Sequence, residues 1–177
     1  ADGNLLLTRT NGSGATVTGM NLEASASWSN SLSLQAGMTL QRSLYMEPEQ
    51  WSEDVEAQTR MHRTPDLYGF MTAQYTFFEG FKVALSGTYT GPMLVQHFAG
   101  YVEKDVEVLT ESFFDLNLKM SYDMRIASKV DLQVNCGIRN IFNSYQSDFD
   151  KGADRDAGFI YGPNQPRTIY AGLKFSI

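Results

Sequence analysis

From residue 16 to the end of the chain, apolar and polar side chains alternate in one segment after another. In residues 32–46, Leu32, Leu34, Ala36, Met38, Leu40, Leu44 and Met46 share one parity, and Ser33, Gln35, Gly37, Thr39, Gln41 and Ser43 share the other. A period of two places these sets on opposite faces of a strand. The segment exceeds the usual strand of about 5–6 residues and reaches the roughly 9–11 that a tilted strand needs to cross a bilayer. The same pattern predicts strands over 16–28, 66–77, 81–90, 113–124, 130–139 and 167–177. It is sharpest in 113–124, where Phe114, Leu116, Leu118, Met120, Tyr122 and Met124 oppose Asp115, Asn117, Lys119, Ser121 and Asp123. Leu5–Thr8 could be the tail of one more strand.

The connections alternate in length. Ser29-Asn30-Ser31, Glu79-Gly80 and Ala127-Ser128 make short turns, whereas Glu47 to Arg63, Gly91 to Thr110 and about Phe142 to Pro166 form long loops. Short turns at one end and long loops at the other is the asymmetry of outer-membrane barrels, with turns periplasmic and loops extracellular. Trp28, Phe77, Phe78, Phe81, Tyr122 and Phe175 fall near the short-turn end, where amphipathic rings would form an interfacial girdle. The predicted class is all-β: an antiparallel, up-and-down transmembrane β-barrel wall of about seven strands. A soluble β-sandwich or lipocalin-like barrel also alternates. Those folds have turn signals about every 8–12 residues and a more highly charged polar parity. Here that parity is mostly Ser, Thr, Gln, Asn and Gly.

Composition narrows the function classes. The apolar fraction is 42%, yet no run is long enough for a membrane-spanning helix of about 18 residues. A barrel strand needs only every second residue to be apolar. The net charge of -6 leaves no basic stripe for nucleic acid. The single cysteine, Cys136, rules out an internal disulfide and a cysteine zinc cluster, and it reads as a small hydrophobe between Val134 and Ile138. The chain opens Ala1-Asp2-Gly3-Asn4 without a signal peptide. An exported barrel would therefore have lost its signal or be part of a longer polypeptide. No Ser, His and Asp arrangement suggests catalysis, and both histidines fall in predicted loops. Asp115 and Asp123 with Lys119 between them read as a charge ladder on the polar face, so the chain is not expected to be an enzyme.

Several segments carry a family resemblance. Asn135-Cys136-Gly137-Ile138-Arg139-Asn140-Ile141-Phe142-Asn143 is similar to the "G-(V/I)-x-N-(L/I)-F-(D/N)" segment of TonB-dependent outer-membrane receptors. Pro166-Arg167-Thr168-Ile169-Tyr170-Ala171-Gly172-Leu173-Lys174-Phe175 is similar to their final "P-R-x-(Y/F)-x-x-G-(L/V)-x-(Y/F)". Gly19-Met20-Asn21-Leu22-Glu23-Ala24 resembles their "G-x-E-x-E-A" strand, with Asn21 in place of the first Glu, and Arg63-Thr64-Pro65 resembles their "R-x-P" strand entry. The chain ends in Ser176-Ile177 where the family ends in an aromatic. The loops around Gly91-Pro92-Met93 and from Asp148 to Pro163 resemble Bacteroidetes receptors for haem or cobalamin.

The resemblance implies a 22-stranded barrel closed by a plug, in the outer membrane of a Gram-negative bacterium. Residues 1–177 would be the C-terminal part of one barrel domain, with the plug and the earlier strands outside this sequence. It implies uptake of a scarce nutrient such as haem, cobalamin or an iron-siderophore. The implied partners are outer-membrane lipid, the remaining strands and plug, the TonB complex through the missing N-terminal part, and a surface lipoprotein. The alternative is a small stand-alone outer-membrane barrel, an adhesin or surface enzyme.

Candidate ligand contacts lie in the loops and on the rim. His97, in Val95-Gln96-His97-Phe98-Ala99-Gly100-Tyr101, reads as an exposed loop histidine that could ligate haem iron, as could Tyr101. His62 beside Arg63 is a second candidate. Tyr68 and Phe70 point inward near the rim, where a flat macrocycle could stack. Asp148, Asp150, Asp154 and Asp156 surround Gly152 and supply hard oxygens for calcium, without the distal Glu of an EF-hand and with Lys151 and Arg155 offsetting their charge. An acidic loop braced by its own basic residues is the alternative. No resident cofactor is required; haem or cobalamin would be cargo.

Overall fold

The computed structural model describes residues 12–29, 31–128, 130–163 and 165–176. The expected strand at Leu5–Thr8 lies outside the described residues. The described residues form ten strands: β1 (Ala15–Trp28), β2 (Leu32–Glu49), β3 (Gln58–Arg60), β4 (Leu67–Phe78), β5 (Phe81–Thr90), β6 (Leu94–His97), β7 (Val106–Leu109), β8 (Phe113–Ala127), β9 (Val130–Arg139) and β10 (Thr168–Ser176). No helix occurs among the described residues.

Seven of the strands form one antiparallel meander in the order β1-β2-β4-β5-β8-β9-β10, each paired with its neighbour in sequence along that path. The sheet is open, with β1 and β10 at its edges. These seven are the strands that the alternation predicts, with ends moved by up to three residues. β2 and β8 run furthest beyond expectation. β2 continues to Glu49 because β3, inside the first long connection, pairs with it at Leu44↔Arg60 and Glu49↔Gln58. β6 and β7 form a separate two-stranded ribbon in the second long connection.

The turns follow from local chemistry. Trp28↔Leu32 closes the first hairpin, with Ser29 at φ 52° and its hydroxyl accepting from the Ser31 N–H at 3.4 Å. Phe78↔Phe81 closes the second, where Gly80 takes φ 85°. Only glycine adopts that conformation without strain, and a Cβ at Gly80 would lie 2.4 Å from the Asp123 carbonyl oxygen. The register slips between Thr76 and Phe78. This irregularity lets two successive phenylalanines reach the same apolar side. Phe77 and Phe78 both meet Phe81, at 5.6 and 5.2 Å between ring centroids, and Phe78 also meets Tyr122 at 6.2 Å. Part of the expected aromatic row is thus a contacting cluster at the short-turn end.

The apolar face of the meander is exposed. Trp28, Ile169 and Leu173 are 80%, 78% and 64% accessible, and among the described residues no second sheet packs over them. A soluble sandwich buries this face, because burying apolar area is worth about 25 cal/mol per Å². The buried apolar residues lie at the long-connection end instead: Met93, Val95 and Phe159 pack together with Val108 and Tyr161, and Phe113 is buried nearby.

Candidate functional site

The three long connections are not separate loops. They carry the small core and form a knit cap, built around two carboxylates.

The first carboxylate is Glu107, on β7 between Val106 and Val108. Trp51 Nε1 and Gln58 Nε2 donate to its Oε1 at 2.9 and 2.6 Å, and His62 Nε2 meets the same oxygen at 2.9 Å. Trp51, Gln58 and His62 all come from the first connection. Burial acts to raise the Glu107 pKa, but the bonds from Trp51, His62 and Gln58 outweigh it and hold the carboxyl below its ordinary value.

The second is Asp150, in the third connection. Its Oδ2 meets His97 Nε2 at 2.9 Å and accepts the Asp156 N–H at 2.9 Å. Burial again pushes upward, and these bonds prevail to lower its pKa. The His97 ring stacks on Phe159 at 3.7 Å, 6° from parallel. Nearby, Tyr161 donates its hydroxyl to both oxygens of Asp148 at 2.7 Å, and burial followed by Asp148 raises the phenol pKa. Asp105 is held low by the Ala99 N–H and then by Ser52.

The expected site residues separate into groups. His97, expected in an exposed loop, instead lies at the end of β6 and is 6% accessible, because Val95 and His97 share the inward parity of that short strand. His62 is engaged by Glu107, while Tyr101 is 54% exposed on the tip beyond His97. The four aspartates do not converge. Asp148 binds Tyr161, Asp150 binds His97, and Asp156 accepts from the Phe98 and Gly158 N–H groups. Among the described residues no three His, Cys, Asp or Glu side chains are grouped to hold a metal ion.

Tyr68 and Phe70 stand on the polar face at the long-connection end of β4, as the parity requires. The register aligns Glu23, Gly37, Phe70 and Thr88 across four strands, with Asn21, Thr39, Tyr68 and Thr90 in the next row. A Cβ at Gly37 would meet Phe70 Cε1 at 2.5 Å, so the glycine makes room for the ring. The rows line an open groove of about 490 Å³. The rows give it two aromatic rings, three threonine hydroxyls, an amide and one carboxylate, and Tyr89 also borders it.

No family model matches the chain, and no curated protein matches it significantly. Among solved structures it is similar to the ferric-catecholate import receptor Fiu from E. coli K12, in its closed form. The TM-score is 0.64, with 19% identity over 92% of this chain. The chain spans 21% of that receptor's length. At this identity the likeness shows the fold alone: an antiparallel sheet built like a section of that receptor's wall.

Other residues of the cap carry no local sequence signal of their role. Arg63 belongs to the segment that resembles a strand-entry motif, yet its guanidinium donates to the Gly158 and Ile160 carbonyls across the cap. Gln146 is 1% exposed, donates to the Phe159 carbonyl and accepts from the Tyr161 N–H. Asn140 donates to the Ser144 and Gln165 carbonyls and accepts the Ser144 N–H, tying both ends of the third connection together. Only Glu107 left a trace, as a lone carboxylate flanked by valines.

Proposed function

We propose that this chain is wall and outer cap of a TonB-dependent outer-membrane receptor that imports a scarce nutrient such as haem, cobalamin or an iron-siderophore. One observation carries the reading: a nearest-neighbour antiparallel meander whose apolar face continues across all seven strands with no second sheet over it among the described residues, large apolar side chains standing exposed on six of them, and with every long connection at one end. Lipid is the solvent that makes such a face favourable. The likeness to an import receptor's wall supports it, as do the ordered end motifs around Asn140 and Pro166. The remaining strands, the plug, the TonB contact and any surface lipoprotein partner belong to the larger protein in this reading.

The polar face would line the lumen, with Tyr68 and Phe70 offering stacking surface just beneath the cap. Axial ligation of haem iron by His97 or His62 would use the other ring nitrogen or require the bond to Asp150 or Glu107 to break. Tyr101 is free to contact a ligand from the cap tip. Calcium at Asp148, Asp150, Asp154 and Asp156 would require the loop to rearrange.

The test is to produce the full-length protein, fractionate membranes, and titrate the purified receptor with haemin, cobalamin and a ferric catecholate. Recovery in the outer membrane and tight binding of one of the three, weakened at least tenfold by Tyr68→Ala or Phe70→Ala, is expected. Recovery in the soluble fraction would overturn the reading. A tight ligand unaffected by either substitution would remove the lumen-face site, and one unaffected by His97→Ala would remove the axial ligand.

A further inference from the structure

We infer that the three long connections open and close as one rigid body, a single gate over the polar face, rather than as three independent loops.

Each pair of connections is joined directly. The first and second meet at Glu107, where Trp51, Gln58 and His62 converge; at the Arg63 N–H, which donates to the Leu94 carbonyl at 2.7 Å; and at the Trp51 and Phe98 rings, 5.0 Å apart edge to face. The second and third meet at the His97–Asp150 bond, the Phe98 N–H to Asp156 at 3.0 Å, and the His97–Phe159 stack. The first and third meet through Arg63, which spans to two carbonyls of the third. The triangle is closed, so no connection can swing out while the other two stay in place.

The interior enforces the same coupling. Met93, Val95 and Val108 come from the second connection, Phe159 and Tyr161 from the third, and they share one core. Separating the second connection from the third would uncover Val95, which is fully buried, and take His97 from Asp150; separating the first from the second would take Trp51, Gln58 and His62 from Glu107. A buried carboxylate such as Asp150, or a half-buried one such as Glu107, is disfavoured when left without donors, so intermediates with one loop open are the costly states. Bistable packed units of this kind move whole or not at all.

The arms of the gate are held at their bases by short polar bonds. Thr110 N–H donates to the Met93 carbonyl and Thr110 Oγ1 accepts the Met93 N–H, closing the second connection at its root. Asn140 does the same for the third. Gly91 N–H donates to the Leu67 carbonyl at 2.8 Å, binding the second connection to the strand that follows the first.

Hydrogen exchange on the full-length protein tests this without any substitution. Under conditions where exchange is limited by opening, peptides covering 51–62, 93–109 and 145–161 should share one opening rate. Three distinct rates would overturn the inference. Glu107→Gln and Arg63→Ala supply an independent arm. Each should raise exchange at least tenfold in all three connections, including the one it does not belong to or touch. A rise confined to the substituted connection and its direct partner would likewise overturn it. If either variant fails to fold, the wild-type opening rates still decide.

Discussion

The imidazole of His97 lies flat on the ring of Phe159, 3.7 Å away and 6° from parallel. Residues 62 positions apart in the chain are thereby locked face to face, and Asp150 holds the same imidazole edge-on. This contact defines the cap more than any strand does, and the consequences for stability are direct.

Replacing His97 with Leu keeps apolar bulk against Phe159 but leaves Asp150 without its ring partner. A charged hydrogen bond lost at a carboxylate that is 2% exposed should destabilise the cap by about 1.5–3 kcal/mol. Amide exchange at Val95 and Phe159 should accelerate by roughly one to two powers of ten, with little change in β1. Unaltered protection at Val95 would show that the His97–Asp150 bond carries no stability.

Acid should loosen the cap. The Glu107 and Asp150 carboxyls are held below their ordinary values, so the folded cap binds fewer protons than the open one. Their contribution is present in full above the ordinary carboxylate range and is lost as pH falls through the lowered values. The cap should hold at neutral pH and weaken below about pH 4. Trp51 donates to Glu107, so its fluorescence, read in a Trp28→Phe background, reports the transition. A transition centred near pH 6 would point away from these two carboxylates.

Gly37→Ala should strain the sheet. The new Cβ would meet Phe70 at 2.5 Å and Glu23 Cγ at 3.2 Å, a crowding that typically costs about 1–3 kcal/mol. Phe70→Leu should relieve most of it. Denaturation of the single and double variants in lipid vesicles gives the coupling. Additive effects would mean that the glycine serves the backbone and not the ring.

Leu85 and Ser86 are neighbours on opposite faces of β5. If the apolar face meets lipid, Leu85→Arg should cost about 2–4 kcal/mol of folding into vesicles while Ser86→Arg costs much less. Equal effects would argue against a bilayer on the Leu85 side.

The wall was legible because its cause is periodic. Leu118 opposes Leu85 on β5 and Ile138 on β9, and each sits on the apolar parity of its own strand, so local alternation predicts long-range pairing. The exceptions are instructive. Tyr68 and Phe70 break the alternation of β4, and both are aromatic residues standing on the polar face beside threonines. The cap was legible only in fragments. β6 is four residues long with a histidine at a buried position, so its pattern looks like loop. Glu107 gathers Trp51, Gln58 and His62 across gaps of 56, 49 and 45 residues, and no period relates those positions.

Sequence alone therefore determined the meander, its two faces, the hairpin turns and the end at which the long connections lie, because each follows from side-chain parity and turn chemistry within a few neighbouring residues. Only the tertiary structure decided that the long connections share a core, that both histidines face carboxylates, and that Asp148, Asp150 and Asp156 serve different partners. Those outcomes depend on which irregular segments meet in space. Nothing repeats along the chain to announce such meetings; they are set by the burial of a few apolar side chains and by the need of each enclosed charge for a donor.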